Sequence, residues 1–214
     1  MSKVKTFVGK KLEDCVPNYH QPKYQYINGY YDAGRKLVEE ALKLEKDGKS
    51  HNYFYPICYS YRHYIELHLK TIIEDLELLY EKSKILGYLK NGVLLDENKV
   101  SEKLHETHDL NELLSYAEER IIYAQVNDEE FPKDIVKFIR QFHEKDKTGQ
   151  SFRYSKTIGG KNSFVSTPYY KLEELKKVME KINGMLWAID SHTDYYIDMA
   201  KSIIDEIKSS YELW

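Results

Sequence analysis

The sequence predicts an all-α protein, a helical bundle with a small β-hairpin insert near residues 152–165. Apolar residues recur at intervals of three and four along most of the chain, and glycine-containing breakers such as Asp47-Gly48 separate these stretches. The Gly159-Gly160 pair between aromatic residues predicts the hairpin. We therefore expect residues 1–214 to form one helical domain.

Apolar periods and terminal residues divide the chain into five predicted helices. The segment before them, to about Ile27, lacks a clean period and is predicted to be an extended arm. The last helix is either one long element or two joined near Ser191, and Asp109 or Asn111 is expected to cap the third helix. A loop is predicted at Lys90–Lys99. The predicted helices span Gly29–Asp47, Tyr53 to beyond Tyr80, His108–Val126, Asn127–Asp146 and Tyr169–Trp214.

The composition excludes several classes of protein. A formal net charge of -3 provides no overall positive field, so any contact with nucleic acid must come from a local cluster. Cys15 and Cys58 provide neither a disulfide framework nor a metal-ligand spacing. No apolar run approaches membrane-spanning length, and the N-terminus lacks the apolar core of a signal peptide. We therefore expect a cytoplasmic protein with no membrane partner.

The sequence contains no strong motif for a cofactor or a metal. Walker and Gly-x-Gly-x-x-Gly loops are absent, as is the His-Glu-x-x-His zinc pattern. His105, His108 and His143 lack the spacing of a known metal-ligand pair, so they are only a weak signal. We expect neither a cofactor nor a metal.

The second predicted helix carries a polar flank that consists of Arg62, His63, Glu66 and Lys70. At about 100° per residue, this flank borders the apolar core stripe of the helix. Arg62 and Glu66 lie one turn apart at the edge of the stripe, and the structural interpretation is a partly buried ion pair. The functional interpretation is a cleft in which His63 binds an anion or transfers protons. His68 lies on the opposite edge and is predicted to be packed or solvated.

The insert and the start of the third helix contribute further candidates. In an extended Phe152-Arg153-Tyr154 segment, the two aromatic rings would anchor the hairpin while Arg153 points to a cleft. His108 is expected either to bond the backbone or to turn toward the polar flank. Together with the flank, Arg153 and His108 would suit a phosphate group. The structural alternative is a pairing of Arg153 with Glu66 or Glu144.

Three motifs carry a resemblance to a known family: Tyr61-Arg62-His63-x-x-Glu66-Leu67-x-Leu69-Lys70, His108-Asp109-Leu110-x-x-Leu113 and Phe152-Arg153-Tyr154. Between about Tyr53 and Tyr170 the chain resembles the HEPN-type helical family of bacterial antiviral defence, toxin–antitoxin and stress loci. The resemblance implies a helical bundle that dimerises. It also implies, for many members, a metal-independent ribonuclease whose active Arg and His come from an Arg-x(4–6)-His motif paired across the dimer.

The match to that Arg/His motif is Arg62-x5-His68. The helical phase places the core stripe between these two residues. The phase therefore favours His63 over His68 as the partner of Arg62.

Two functional hypotheses follow. The first is a HEPN-like RNA-binding protein or metal-independent endoribonuclease. The 20 tyrosines would suit either packing in the core and on the surface or stacking on the bases of RNA. For this first hypothesis the predicted catalytic residues are Arg62, His63, Glu66 and His108, and the predicted phosphate- or ligand-binding residues are Arg153, Tyr154 and Lys70. The second is a non-catalytic helical adaptor, antitoxin or ligand-binding module whose Arg/His/Glu cluster is structural. A protein partner encoded by a neighbouring gene would favour this second hypothesis.

Two structural expectations connect these hypotheses to the fold. The long apolar stripe of the last helix, together with the resemblance, predicts a homodimer. The candidate residues are expected to converge on one pocket although they are far apart in the sequence: Arg62, His63, Glu66, His108 and Arg153.

Overall fold

The computed structural model describes residues 22–87, 104–124, 131–156, 159–163 and 171–211. Five α-helices occupy most of these residues, so the all-α prediction is confirmed. Two short 3₁₀ turns, Glu45–Asp47 and Ser50–Tyr53, connect the first two helices. The helices are α1 (Pro22–Lys43), α2 (Phe54–Ile85), α3 (Leu110–Ala124), α4 (Lys133–Lys145) and α5 (Leu172–Tyr211).

Helix α2 is the centre of the bundle, because α1, α3 and α5 all pack against it. Its predicted core stripe is buried, and Ile65, Leu69 and Leu76 are each 0% exposed. Burial extends beyond the stripe, since a helix that contacts three others has little surface left for solvent. The polar flank of α2 therefore begins inside the bundle, and its charged groups require partners there.

Helix α1 begins seven residues earlier than predicted, at Pro22 rather than Gly29. Proline is tolerated in the first turn of a helix, so it starts this element instead of preventing it. The predicted extended arm is thus wrong for residues 22–27, where Ile27 is a core residue at 1% exposure. The rest of the arm and the predicted loop at Lys90–Lys99 lie outside the described residues.

The start of α3 is determined by a side-chain cap. Asp109 Oδ1 accepts hydrogen bonds from the backbone N–H groups of Asn111, at 2.8 Å, and Glu112, at 3.1 Å. Of the two predicted caps, Asp109 is therefore the one that satisfies the free donors of the helix. This cap holds the preceding residue, His108, in place between α3 and α2.

The predicted β-hairpin is not supported. Within the described residues there is no strand, and one isolated antiparallel bridge joins Lys156 to Asn162. The N–H groups of Arg153 and Tyr154 both bond to the Gln150 carbonyl, so this segment turns instead of extending. A turn does not alternate its side chains as a strand does. Consequently Phe152 anchors the segment at 6% exposure, whereas Tyr154 is 56% exposed and is not the second anchor.

Helix α5 is one continuous helix of 40 residues, so the first of the two predicted alternatives, a single long helix, is confirmed. Leu186 and Ile189 from its apolar stripe are buried within the bundle, whereas Met199 and Ile207 are exposed. The homodimer stays a prediction, since part of the stripe is used inside the chain. None of the described helices combines the length and apolarity that a membrane crossing requires.

Candidate functional site

Arg62 is the buried centre of the candidate site. Its side chain is 2% exposed, and its Nη1 donates to Glu66 Oε2 at 2.9 Å. Its Nε donates to the backbone carbonyl of Asp146 at 3.0 Å, and its Nη2 donates to the backbone carbonyl of His108. One guanidinium therefore ties α2 to the end of α4 and to the start of α3. The guanidinium fork, with donors in fixed directions, suits this three-way connection.

Asp146 supports Arg62 from the turn that follows α4. Its Oδ2 lies 3.3 Å from Arg62 Nε, and its Oδ1 accepts the N–H groups of Gln150 and Ser151, each at 2.9 Å. Gly149 completes this turn with a positive φ of 74°, and an added Cβ there would lie 3.2 Å from Arg62 Nη1. The turn is thus packed directly against the guanidinium.

Glu66 connects this buried centre to the surface. Its Oε1 lies 3.2 Å from Lys70 Nζ and 2.7 Å from His108 Nδ1. Glu66 is almost fully buried, at 3% side-chain exposure, whereas the His108 side chain is 55% exposed. A buried carboxylate therefore holds one nitrogen of an imidazole whose other nitrogen is on the solvent side.

The ionisation of Glu66 determines which nitrogen of His108 carries a proton. Burial alone would raise the pKa of Glu66, but the hydrogen bond from His108, the charge of Lys70 and the hydrogen bond from Arg62 together outweigh burial and lower it. The carboxylate is therefore ionised at neutral pH and can only accept hydrogen bonds. It follows that Nδ1 of His108 is protonated and that Nε2 is directed away from Glu66. This is the arrangement by which a carboxylate orients a histidine for proton transfer.

His63 lies in an aromatic environment beside this dyad. Its ring stacks on Tyr59, with centroids 5.6 Å apart, and meets the edge of Tyr30 at 4.4 Å. Burial lowers the pKa of His63, and the attraction of Glu66 opposes this effect only in part. His63 is therefore neutral near pH 7, and it is held by rings rather than by the Arg62 guanidinium.

Arg153 extends the site beyond His63. Its guanidinium carbon lies 5.9 Å from the Tyr59 ring centroid and 5.4 Å from that of Tyr154. Because Tyr59 also stacks on His63, the Tyr59 ring contacts both His63 and Arg153. The structural alternative predicted that Arg153 pairs with Glu66 or Glu144. Neither pair is among the contacts of the described residues, and Arg153 makes cation–π contacts instead.

The predicted site residues therefore come together in two layers. Arg62 and Glu66 form a buried lower layer, so Arg62 is not presented to a ligand as predicted. Above them, Tyr59, His63 and Lys70 lie along one face of α2 and span about 16 Å, at a helical rise of 1.5 Å per residue. Arg153 and His108 lie beside this face and complete the row. We call this row of exposed or half-buried groups the surface track, and it consists of Arg153, Tyr59, His63, His108 and Lys70.

His68 belongs to a different part of the molecule. It is fully buried, its Nδ1 lies 3.0 Å from the Tyr64 hydroxyl, and its ring packs against Trp187 at 4.9 Å. Burial lowers the pKa of His68 to about 3. The Arg62-x5-His68 pair is therefore not one exposed site, and the described contacts of Arg62 include neither the His63 ring nor the His68 ring.

Three residues that contribute to the site were missed in the sequence. Tyr59 precedes His63 by one helical turn, so the helical period contained this signal. Tyr30 comes from α1 and Asp146 from the end of α4, and no local pattern connects either residue to α2. Within the described residues, no group of three or more His, Cys, Asp or Glu side chains is placed to hold a metal ion.

Comparison with protein-family models, with curated proteins and with solved structures finds no match. The HEPN-like resemblance therefore stays a prediction that depends on the quoted motifs. The geometry of the surface track is the basis for the functional conclusion.

Proposed function

We propose that the protein binds single-stranded RNA along the surface track and cleaves it without a metal. The observation that carries this proposal is the exposed His108 imidazole held at Nδ1 by the buried Glu66 carboxylate, 2.7 Å away. A histidine oriented in this way is suited to general base catalysis. The cations and rings of the same track supply what an RNA strand requires, which is phosphate contacts and stacking surfaces.

Each group of the track has a separate task in the proposed reaction. His108 Nε2 removes the proton from a ribose 2′-hydroxyl, and the resulting oxyanion attacks the adjacent phosphorus. The bond from phosphorus to the 5′-oxygen breaks, and this oxygen takes a proton from water. Arg153 and Lys70 hold the phosphate oxygens, while the Tyr59–His63 stack supports a base. His63 is neutral near pH 7, so its role here is stacking rather than proton donation.

The test is incubation of the purified protein with a 5′-labelled single-stranded oligoribonucleotide in EDTA. We expect cleavage that leaves a 2′,3′-cyclic phosphate, and a loss of about 10²–10⁴-fold in rate for His108→Ala, the usual size of a general base contribution. Binding of a non-cleavable 2′-deoxy oligonucleotide should change little in this variant. His192→Ala, which removes an exposed histidine from α5, is the matched control.

A non-catalytic binding module is the second candidate, and the enclosure of Arg62 favours it. The motif arginine is 2% exposed and its donors are used by Glu66 and two backbone carbonyls, so its task is structural. Binding of RNA without cleavage in the same assay would support this candidate. A toxin or nuclease encoded by a neighbouring gene would then be the expected protein partner, in the defence or toxin–antitoxin setting that the resemblance implies.

A further inference from the structure

A pocket opens at the Arg153 end of the surface track. Its volume is about 370 Å³, which is within the size range of small-molecule sites. It lies between the first turn of α2 and the turn that follows α4. Its lining combines two tyrosine rings, one guanidinium and several small polar side chains: Tyr55, Tyr154, Arg153, Ser151, Ser155 and Asn162.

The aromatic walls of this pocket are open to solvent. Tyr154 is 56% exposed and Tyr55 is 46% exposed, so part of each ring is accessible to a ligand. Arg153 lies over the Tyr154 ring, which lines the pocket, and over the Tyr59 ring, which belongs to the surface track. Within the described part of the chain no carboxylate neutralises Arg153, so its charge is available to an anion at the boundary between pocket and track.

We propose that this pocket receives one unstacked purine base of an RNA strand, adenine in preference to guanine. The proposal depends on the proposed function, since the strand reaches the pocket along the surface track. The base stacks on Tyr154, its 5′-phosphate lies on Arg153, and the next phosphate continues toward His108 and Lys70. A purine offers a larger stacking face than a pyrimidine.

Asn162 supplies the preference for adenine. A side-chain amide has a donor and an acceptor side by side, and the adenine N6 and N7 edge presents the complementary acceptor and donor. Guanine presents two acceptors, O6 and N7, at the same edge and therefore leaves the amide oxygen without a donor.

The experiment compares the binding of short oligo(A), oligo(G), oligo(U) and oligo(C) by fluorescence anisotropy and calorimetry. Each oligonucleotide lacks the 2′-hydroxyl at every position, so that it cannot be cleaved. Binding of free AMP and UMP is measured in the same way. We expect oligo(A) to bind more tightly than oligo(U). Tyr154→Ala should weaken the binding of oligo(A) about tenfold and remove this preference, because one stacked base contributes roughly this factor. Asn162→Ala should equalise oligo(A) and oligo(G). Tyr195→Ala, an exposed tyrosine on α5, is the control.

Each outcome is decisive for the pocket. Loss of AMP binding in Tyr154→Ala supports it, even if no oligonucleotide binds and the proposed RNA function fails. Oligonucleotide binding that is equal for all four bases and unchanged in Tyr154→Ala overturns the pocket while the RNA function stands. Absence of binding by AMP and by all oligonucleotides overturns both. Tyr154 is exposed, and unchanged thermal melting confirms that the variant is folded.

Discussion

At the scale of single residues, the charges of α2 divide into structural and available groups. Arg62 and Glu66 are enclosed and satisfy one another, as buried charges must. His63, Lys70 and His108 lie above them and face solvent at least in part. The buried pair thus supports the surface groups, and a change at Arg62 should act on the fold before it acts on any ligand.

Arg62→Ala tests this structural role. We expect a loss of about 3–5 kcal/mol in the free energy of unfolding, because Glu66 and Asp146 would lose the buried cation that they share. Urea denaturation followed by circular dichroism measures the loss. Arg35→Ala removes an exposed arginine that pairs with Asp32, and should change the stability far less. Equal small losses in the two variants would contradict the structural role of Arg62.

At the scale of elements, α5 has two parts with different surroundings. Its residues up to Ala200 contribute to the core, including Met179, Ile182 and Leu186 at 0% exposure. Beyond this point the helix continues to Tyr211 with most side chains exposed. An isolated helical extension gains little from packing, so a partner surface would stabilise it.

The homodimer prediction is therefore tested best on this extension. Met199, Ile203 and Ile207 are spaced by four residues and form a stripe, with Met199 44% exposed and Ile207 45% exposed. We expect the wild type to sediment as a dimer, and the double variant Met199→Glu/Ile207→Glu to sediment as a folded monomer. Lys208→Glu, a charge change away from the stripe, should stay dimeric. A monomeric wild type at micromolar concentration would refute the prediction.

At the scale of the whole molecule, a second buried polar cluster joins α1, α2 and α5. Lys23 donates to both oxygens of Asp75 at 2.7 and 2.9 Å, and the charge of Asp75 acts on Asp190. Asp190 is 1% exposed, and its Oδ2 lies 3.9 Å from Nε2 of His68. Burial, reinforced by Asp75 and Asp194, raises the pKa of Asp190 to about 7. Below that pH, His68 and Asp190 are therefore a neutral contact and not an ion pair.

This cluster predicts a specific pH dependence of stability. An aspartate whose pKa is raised in the folded state stays protonated between about pH 4 and 7 while the unfolded chain ionises, so the free energy of unfolding decreases as pH rises through this window. His68 acts in the opposite direction, because the unfolded chain binds a proton below about pH 6.5 and the buried imidazole does not. In the wild type the two contributions oppose each other between about pH 4 and 6.5.

Asp190→Asn separates the two contributions. Asparagine has nearly the same shape as aspartate and cannot ionise, so the variant should be more stable than the wild type at about pH 8, by roughly 1–4 kcal/mol from the size of the pKa shift. Its stability should rise between about pH 4 and 6.5, because the opposing Asp190 contribution is gone and that of His68 remains. Thermal melting across pH measures both effects. Asp198→Asn, an exposed control, should follow the wild type, and a variant no more stable at high pH would contradict the raised pKa of Asp190.

Part of the fold and of the site could be predicted from local patterns. The period of α2 indicated its core stripe and placed Arg62 beside Glu66, because residues four apart share a helical face whatever surrounds them. The cap at Asp109 was also predictable, because a cap bonds to N–H groups only two or three residues further along the chain. Local patterns failed at residues 152–154, where alternating aromatic residues suggested a strand. Hydrogen bonds from the Gln150 and Ser151 N–H groups to Asp146, and the burial of Phe152, impose a turn there.

The sequence by itself determined the helical class, the main apolar stripes and the polar flank, since these depend on spacing along one helix. Only the tertiary structure decided which charged groups are enclosed and which reach solvent. Arg62 and Asp146 are 84 residues apart in the chain, and their contact exists only because α4 ends beside α2. The exposure of His108 above Glu66 likewise depends on where α3 begins against α2. Burial and hydrogen-bond partners are set by contacts between distant segments, and no local period encodes them.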